Sequence, residues 1–269
     1  MKTEINTLLG GKVKIVQFQK GVKVSSDAVL LASIVDEKLS SRVKNVLDVG
    51  VGGGGISLCL LSRFPSLKIT GIDVQDEMLD IVKQSIIVNG FQEKFSVLKE
   101  NILNPSSSFK EKEFDLVITN PPYYKGHISP DKVKARAHSE QGLDLVEWIT
   151  MCIKRLRTKG TFAIVHKAER LDDILFALKK NGMGKIEIVL LYSKEKEVAN
   201  RILIRAVKSS KTPSIIYSPV ILHCDDGKYT EQAKEIFENS RSIFDYLWFS
   251  SSNFIFSNFG SEICMLFSW

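Results

Sequence analysis

The sequence predicts an α/β fold built on a mostly parallel, seven-stranded sheet with one antiparallel strand and with helices on both faces. Strand-like and helix-like stretches alternate from residue 45 to residue 193, which is typical of parallel strands joined by helices. The last two predicted strands, 185–193 and 200–208, are separated by only six residues. Because a parallel crossover needs about a dozen residues or more, these two strands should form an antiparallel hairpin.

The helices are predicted from apolar residues at helical spacing and from signals at their ends. The first, at 25–39, starts with serines that can cap it, and the next, at 55–64, is mostly apolar. A third helix, at 75–90, has acidic residues in its first turn and a glycine at its end. The helix at 143–160 ends in basic residues and a glycine, and another helix is expected at 170–182.

The strands are predicted from short runs of aliphatic residues that are bounded by turn residues. Each of them directly precedes or follows one of the predicted helices or turns, in the order that a parallel sheet requires. We expect them at 45–50, 68–74, 95–102, 114–120, 161–167, 185–193 and 200–208.

The domain organisation follows from these elements. We expect a single domain at 1–240, with a lead-in at 1–44, a core at 45–208 and an extension at 209–240. The extension contains signals for a short strand, a turn at "DDGKY" and a short helix. The remaining tail, 241–269, is rich in aromatic residues and serine, and its sequence predicts no role.

Composition excludes few classes of function. The net charge of +6 suits a polyanionic partner, and it suits an ordinary lysine-rich surface equally well. The four cysteines form no CxxC pair and have no histidine at metal spacing, so we expect a reducing compartment and no metal site. The absence of an apolar leader and of a long apolar window predicts a cytoplasmic protein without a membrane span. The oligomeric state is not indicated.

A glycine cluster follows the first core strand in "VLDVGVGGGG", at 46–55. Such a turn lets the backbone approach a ligand, and the helix that follows offers free N–H groups to it. Gly50, Gly52 and Gly55 match the GxGxxG pattern of dinucleotide-binding proteins, and Asp73 lies 21 residues after Gly52, as that pattern requires.

The same loop also fits a second cofactor. Gly50, Gly52 and Gly54 match GxGxG, with Asp48 two residues upstream, and this spacing resembles that of class I S-adenosylmethionine-dependent methyltransferases. With either cofactor, the carboxylate of Asp73 is suited to accept hydrogen bonds from a ribose diol. The glycine loop alone leaves both cofactors open.

The sequence "TNPPYY", at 119–124, ends the fourth core strand at the same edge of the predicted sheet. Asn120 presents a side-chain amide there, and Pro121 and Pro122 fix the backbone without offering an N–H. Two acceptors, the Asn120 side-chain oxygen and the Pro121 carbonyl, suit an aromatic amine with two hydrogens. Tyr123 adds a flat ring on which a planar base can stack. We therefore predict Asn120, Pro121, Pro122 and Tyr123 as catalytic residues.

The run Asn120–Tyr123 resembles the NPPY motif of amino-group methyltransferases, which have the Rossmann-like class I fold. Within that group, "FQKGVKVSSDAVLLASIV" at 18–35 resembles the lead-in of the bacterial tRNA1(Val) (adenine-37-N6)-methyltransferase family. The likeness covers about residues 12–236 and also includes "KARAHSE", "LVEWI", "ANRILIRAVK" and "LHCDDGKYTEQA". The resemblance implies methyl transfer from S-adenosylmethionine to the N6 amino group of an adenine in a tRNA anticodon loop.

The resemblance also implies roles for further residues. Asn101 stands where such enzymes usually have an aspartate that contacts the cofactor adenine, so we expect a cofactor contact from its carbonyl oxygen. The expected cofactor site thus comprises Asp48, Gly50, Gly52, Gly54, Asp73, Asn101 and Asn120. Four basic residues after the NPPY motif are candidate contacts to RNA phosphates or, equally, an ordinary solvated loop: Lys125, Lys132, Lys134 and Arg136.

Three other functions stay open from the sequence. NPPY enzymes also modify glutamine side chains of proteins, although only 44 residues precede the glycine strand here, fewer than a release-factor enzyme normally has. The chain also fits a non-catalytic RNA-binding protein with a vestigial cofactor pocket. A nicotinamide-dependent dehydrogenase would leave residues 119–124 without a role.

Overall fold

The computed structural model describes residues 2–19, 24, 26–110, 113–122 and 144–247 of the chain. The strands of its main sheet are β3 (Asn45–Val49), β4 (Lys68–Asp73), β5 (Phe95–Lys99), β6 (Phe114–Thr119), β7 (Leu156–Lys167), β8 (Met183–Tyr192), β9 (Arg201–Lys208), β10 (Ile215–Ile216) and β11 (Val220–Ile221). Their order in the sheet is β10-β8-β9-β7-β6-β3-β4-β5, and β11 also pairs with β8. Among these described strands, only β9 runs antiparallel to its neighbours.

The predicted seven-stranded, mostly parallel sheet with one antiparallel strand is confirmed as the strands β3 to β9. The two further strands, β10 and β11, have two residues each and extend the outer edge of β8. Strands this short carry no periodic pattern, and for that reason the sequence predicts only one of them.

Helices cover both faces of the sheet, because successive residues of its central strands point to opposite sides. On β3, Val46 packs into one core cluster and Leu47 into the other. The first cluster includes residues of α1 (Ser26–Ser33), α3 (Gly55–Arg63), α4 (Asp76–Asn89) and α8 (Glu231–Phe237). The second cluster includes residues of α5 (Ser107–Lys110), α6 (Leu145–Lys154) and α7 (Leu171–Lys180).

The lead-in forms a hairpin that is separate from the main sheet. Its strands, β1 (Thr3–Leu8) and β2 (Val13–Phe18), pair antiparallel, with Ile5 opposite Val16. The Val16 N–H donates to the buried hydroxyl of Ser85 on α4 at 2.9 Å, and the Lys14 N–H donates to Asn89 at 2.9 Å. Side chains of α4 therefore satisfy the free edge of β2 and fix the hairpin beside the core.

The single helix predicted at 25–39 is wrong, because the chain forms two helices there. The first is α1, and the second is the short α2 (Glu37–Ser40). Asp36 has an extended backbone, and its carboxylate accepts the Leu39 N–H at 2.6 Å as the N-cap of α2. An aspartate at this position favours a new helix start over continuation of the old helix.

The helix predicted at 143–160 is also wrong at its end, because α6 stops at Lys154 and β7 begins at Leu156. The Arg155 guanidinium is buried and donates to the carbonyls of Phe109 and Lys110. Arg157 forms an ion pair with Asp115 of β6 at 2.6 Å. These tertiary contacts hold the basic residues against the sheet and end the helix early. The helical periodicity of the sequence gives no sign of such contacts.

A buried arginine in the sheet contacts both the segment before residue 45 and the segment after residue 208. Arg205 of β9 donates to Glu187 of β8 at 2.7 and 3.1 Å and to Asp36 at 3.0 Å. It also donates to the Ile34 carbonyl, and its guanidinium carbon lies 3.8 Å from the ring centre of Phe244 in α9 (Phe244–Leu247). Burial by itself raises the pKa of Glu187, but the hydrogen bonds and charge of Arg205 outweigh it and hold that pKa below its usual value.

We expect Arg205→Met to destabilise the fold by about 3–5 kcal/mol, because it leaves the Glu187 carboxylate buried without its cation. Urea denaturation at neutral pH measures the loss. Lys83→Met is the control: it breaks an exposed ion pair with Asp80, and such pairs contribute little to the free energy of unfolding. Equal stability of Arg205→Met and the unmodified chain would contradict the assigned role.

Candidate active site

A cavity of about 570 Å³ lies at the carboxyl ends of β3, β4, β5 and β6. This volume is within the range of sites that enclose a small molecule, and the position is where α/β proteins bind ligands. The walls are mostly apolar, with a few polar groups. The lining residues are Val24, Ala28, Val49–Gly53, Gly55, Ile56, Ile72–Gln75, Met78, Glu100–Leu103, Asn120, Pro122 and Trp148.

The cavity collects most of the predicted cofactor residues and part of the NPPY motif. Those that line it are Gly50, Gly52, Asp73, Asn101, Asn120 and Pro122. Asp48, Gly54 and Pro121 are not among the lining residues, and Asp48 and Pro121 are buried. Tyr123, Lys125, Lys132, Lys134 and Arg136 lie outside the described residues, so their roles stay predictions.

Val24 of the lead-in covers the glycine loop. A side chain at Gly53 or Gly55 would place its Cβ 2.6 or 2.5 Å from methyl groups of Val24, so Val24 would have to move to accommodate it. Glycine at these two positions allows the close packing, and the lead-in forms one wall of the cavity. The Val24 N–H donates to Gln17 of β2 at 3.3 Å, which connects this wall to the hairpin.

Asp73 closes the glycine loop at the end of β4. Its carboxylate accepts the Gly52 N–H at 3.0 Å and the Gln75 N–H at 3.1 Å. A carboxylate has about four acceptor positions, so two remain for a ligand. The side chain is mostly buried and lines the cavity, and this arrangement suits a ribose diol.

Asn120 follows the last residue of β6, and its side-chain oxygen is buried. Among the described residues this Oδ1 atom has no hydrogen-bond partner, although the side chain lines the cavity. A buried acceptor without a partner costs about 1–3 kcal/mol, so it is expected to serve a ligand.

Thr119 and Trp148 fix the position of Asn120. The Trp148 indole N–H donates to the buried Thr119 hydroxyl at 3.1 Å, and that hydroxyl donates to the Val49 carbonyl at 2.8 Å. The indole ring also lies 3.5 Å from the point where a Cβ on Gly50 would stand. The end of β6 is thereby tied to the start of the glycine loop.

These two residues and Val24 are functional candidates that the sequence reasoning missed. Trp148 lies in "LVEWI", which predicts a core helix, and Thr119 ends an apolar strand. Their hydrogen bonds join separate segments of the chain, so no local pattern signals them. Val24 directly precedes the predicted first helix, and only its contact with the glycine loop reveals a role.

Asp48 lies beneath the loop and is fully buried. One carboxylate oxygen accepts the Ser57 hydroxyl at 2.6 Å, and the other has no partner among the described residues. Burial raises the pKa of Asp48 to about 7, with a smaller increase from the charge of Asp73 and an opposing effect of Ser57. The predicted contact of Asp48 with the cofactor stays a prediction.

These residues fit S-adenosylmethionine, the cofactor expected from the GxGxG spacing. The cavity has a carboxylate for a ribose, a glycine-lined backbone turn and apolar walls for a purine. Within the described residues, no cluster of three or more histidine, cysteine, aspartate or glutamate side chains has metal-binding geometry. In the same part of the chain, each helix is too short or too polar to cross a bilayer.

We expect Asp48→Asn to remove a pH-dependent loss of stability. The folded chain keeps the Asp48 proton up to about pH 7, whereas the unfolded chain releases it near the ordinary pKa of 3.8. This group's contribution to the free energy of unfolding therefore falls as the pH rises between these values and stays constant above them. Urea denaturation at pH 4 to 9 measures this effect. As the pH rises, the free energy of unfolding of the variant should increase relative to that of the unmodified chain, by on the order of a few kcal/mol at pH 8. A difference that does not change with pH would contradict the buried, neutral carboxyl.

Solved structures share this fold. The chain is similar to a predicted O-methyltransferase from Agrobacterium tumefaciens, with a TM-score of 0.66 and 24% identity over 80% of this chain and 97% of that one. It is also similar to the T. thermophilus 16S rRNA N2 G1207 methyltransferase in complex with AdoMet and guanosine, with a TM-score of 0.53 and 20% identity over 77% of this chain and 50% of that one.

Two curated relatives to which the chain is similar carry the name tRNA1(Val) (adenine(37)-N6)-methyltransferase. The Porphyromonas gingivalis (strain ATCC BAA-308 / W83) protein is 28% identical over 157 residues, and the match spans 57% of this chain and only 62% of the relative. The Phocaeicola vulgatus protein is 26% identical over 222 residues, or 81% of this chain and 92% of the relative.

A family model extends the likeness over most of the core. The model described as "Methyltransferase small domain" matches residues 19–194, which include the glycine loop, Asp73 and Asn120. The prediction of S-adenosylmethionine as the cofactor is confirmed by the match to a methyltransferase family, and the dehydrogenase interpretation is set aside. Because the match covers more than half of the sequence, the chain belongs to the methyltransferase small domain family.

Proposed function

We propose that this enzyme transfers a methyl group from S-adenosylmethionine to the N6 amino group of adenine 37 in a tRNA anticodon loop. The relatives named for that reaction support the choice of acceptor. The observation that carries the proposal is the buried Oδ1 atom of Asn120, which lines the cofactor cavity and has no partner among the described residues.

The exocyclic amine of adenine is a poor nucleophile because its lone pair is delocalised into the ring. The Asn120 side-chain oxygen and the Pro121 carbonyl would each accept one of its two hydrogens. Held in this way, the nitrogen is oriented and gains tetrahedral character as the new bond forms. S-adenosylmethionine, when bound, supplies an electrophilic methyl group.

Pro121 and Pro122 favour binding of the amine because they have no backbone N–H group. Neither has an N–H, so no backbone donor of theirs competes with the amine for the Asn120 oxygen. The amine proton becomes acidic only after the nitrogen is methylated, so no strong base is needed before attack. Catalysis would then rest on positioning and on the placement of charge.

A tRNA anticodon loop suits this site because its bases are already partly unstacked. Moving one base into a pocket therefore costs less there than in a duplex. We propose tRNA as the partner, the cytoplasm as the compartment, and Tyr123 as the ring on which the base stacks. Lys125, Lys132, Lys134 and Arg136 are the proposed phosphate contacts.

The test of the function is methyl transfer from labelled S-adenosylmethionine to bulk tRNA that lacks its own N6-methyladenine, followed by mass spectrometry of the nucleosides. N6-methyladenosine at position 37 is the expected product. Label in a glutamine side chain of a release factor, with the RNA unmodified, would replace the proposal by protein methylation. The absence of cofactor binding in calorimetry would instead favour a non-catalytic RNA-binding protein.

We expect Asn120→Ala to lower kcat by about 100-fold or more, because it removes the acceptor that orients the amine. Calorimetric titration should show nearly unchanged affinity for S-adenosylmethionine. Asn104→Ala is the matched control: it removes an exposed asparagine in the loop after β5 that does not line the cavity. A normal rate for Asn120→Ala would end the proposed role.

A second variant tests how Asn120 is positioned. Thr119→Val keeps the shape of the side chain but removes the hydroxyl between Trp148 and Val49. Because the strand end that carries Asn120 is then less constrained, we expect kcat to fall about 10-fold or more while cofactor affinity is retained.

Thr119→Ser restores the hydroxyl and should restore most of kcat. Thermal denaturation of both variants separates this effect from a general loss of stability. If Thr119→Val were as active as Thr119→Ser, the hydroxyl would have no positioning role.

A further inference from the structure

Exposed lysines collect at the amino ends of the parallel strands, on the edge of the sheet opposite the cavity. Lys44 directly precedes β3, Lys68 begins β4 and Lys94 directly precedes β5. None of the three forms an ion pair with a described residue. We call the surface formed by these three lysines the amino edge.

The pairing of the strands keeps these lysines side by side. The Lys68 N–H donates to the Lys44 carbonyl at 2.8 Å, and the Ile69 N–H donates to the Lys94 carbonyl at 2.8 Å. Because paired strands lie about 4.8 Å apart, the three charged residues start from backbone positions within about 10 Å of one another. Like charges at this spacing repel one another, and a bound polyanion relieves that repulsion.

The aspartate nearest to this row is already engaged. Asp115 is mostly buried, and its carboxylate accepts the N–H groups of Lys44 and Asn45 at 2.7 and 2.8 Å. The same carboxylate forms the ion pair with Arg157. The Arg157 guanidinium also donates to the carbonyl of Arg42, whose own side chain is exposed. Asp115 therefore leaves the charges of Lys44 and Arg42 uncompensated.

Two glutamates are exposed at the same edge and reduce its charge only in part. Glu93 and Glu113 line a hollow together with Lys68 and Lys94, and neither glutamate forms an ion pair with a described residue. Further exposed lysines lie in the segments that lead into β6 and β7, namely Lys110, Lys154 and Lys159. The cations outnumber the acids, so this edge has an excess of positive charge.

The cations at the other edge, on the acceptor side of the cavity, are neutralised. Three basic residues lie at the carboxyl end of β7, in the turn that follows it and at the start of β9. Each has an acidic partner, in the pairs Lys167–Glu169, Arg170–Asp173 and Arg201–Asp27. In the part of the chain that the structure describes, the amino edge is thus better suited to attract a polyanion than the rim beside Asn120.

We propose that the amino edge binds phosphates of the tRNA outside its anticodon loop, an inference that rests on the proposed function. The strands β3 to β6 have five or six residues, so the two edges of the sheet are about 20 Å apart. On the order of seven stacked base pairs span that distance, and the stacked arm behind an anticodon loop is longer. A tRNA whose loop base lies at Asn120 can therefore extend along the side of the sheet to the amino edge.

Lysine suits this role because its ammonium group attracts a phosphate without reading the base beside it. The amino edge would then increase the affinity for a whole tRNA, whereas the cavity selects the nucleotide. An isolated anticodon stem–loop would reach the cavity and leave the amino edge unused.

The experiment replaces three lysines together, in the variant Lys44→Gln/Lys68→Gln/Lys94→Gln. For full-length tRNA we expect Kd to rise by about 10-fold or more near physiological salt, and the slope of log Kd against log salt concentration to fall by about 2. The KM for an isolated anticodon stem–loop and the affinity for S-adenosylmethionine should stay unchanged.

The variant Lys83→Gln/Lys99→Gln/Lys234→Gln is the matched control. It removes the same charge from three lysines that have acidic partners, Asp80, Asp76 and Glu231. It should bind full-length tRNA like the unmodified chain, and circular dichroism checks that both variants are folded.

Equal affinity of the two triple variants for full-length tRNA would overturn the inference. Equal weakening for the stem–loop and for full-length tRNA would overturn it as well, since the contact would then lie at the loop. Tighter binding of poly-glutamate than of tRNA, lost in the first variant, would assign the amino edge to an acidic protein instead. Methylation of the stem–loop by the unmodified chain tests the proposed function separately, because that substrate does not need the amino edge.

Discussion

Val49 pairs with Thr119 at the last rung of the ladder between β3 and β6, and this parallel register sets the geometry of the whole site. Beyond that rung, one strand continues into the glycine loop and the other into Asn120. The Thr119 hydroxyl bridges the two strand ends through Val49, and Trp148 holds the hydroxyl from the other side. The distance between the glycine loop and Asn120 is thus set by the spacing of paired strands. The hydrogen bonds that join Trp148, Thr119 and Val49 hold the two strand ends together.

Within the described part of the chain, two buried side-chain oxygen atoms near this register have no hydrogen-bond partner, and we interpret them differently. That of Asn120 belongs to a side chain that lines the cavity, where a ligand can satisfy it. That of Asp48 lies under the glycine loop, where burial raises the pKa and keeps the carboxyl largely neutral below about pH 7. We propose that a ligand uses the first acceptor, whereas a proton removes the charge of the second.

The sequence predicts those features that depend on neighbours along the chain. The strands β3 to β9, the glycine turn, Asp73 and the NPPY strand end all follow from periodicity and turn chemistry. The break before α2, the early end of α6 and the roles of Val24, Thr119 and Trp148 do not. The break before α2 comes from a local N-cap at Asp36, which the apolar spacing of the segment does not show. Each of the other features depends on a partner far along the chain, as when the Arg155 guanidinium bonds to Phe109 and Lys110. Local propensity contains no information about such contacts.

The Arg205 guanidinium contacts the segments that precede and follow the sheet in the sequence. It donates hydrogen bonds to Ile34 and Asp36 in the first segment and lies over the ring of Phe244 in the second. The sheet at 45–208 is consequently not an exchangeable module. A graft of this sheet without its flanks would leave the Arg205 guanidinium with Glu187 but without Ile34, Asp36 and Phe244. Recombination between homologues is therefore expected to preserve stability only when the flanks supply equivalent groups to this arginine.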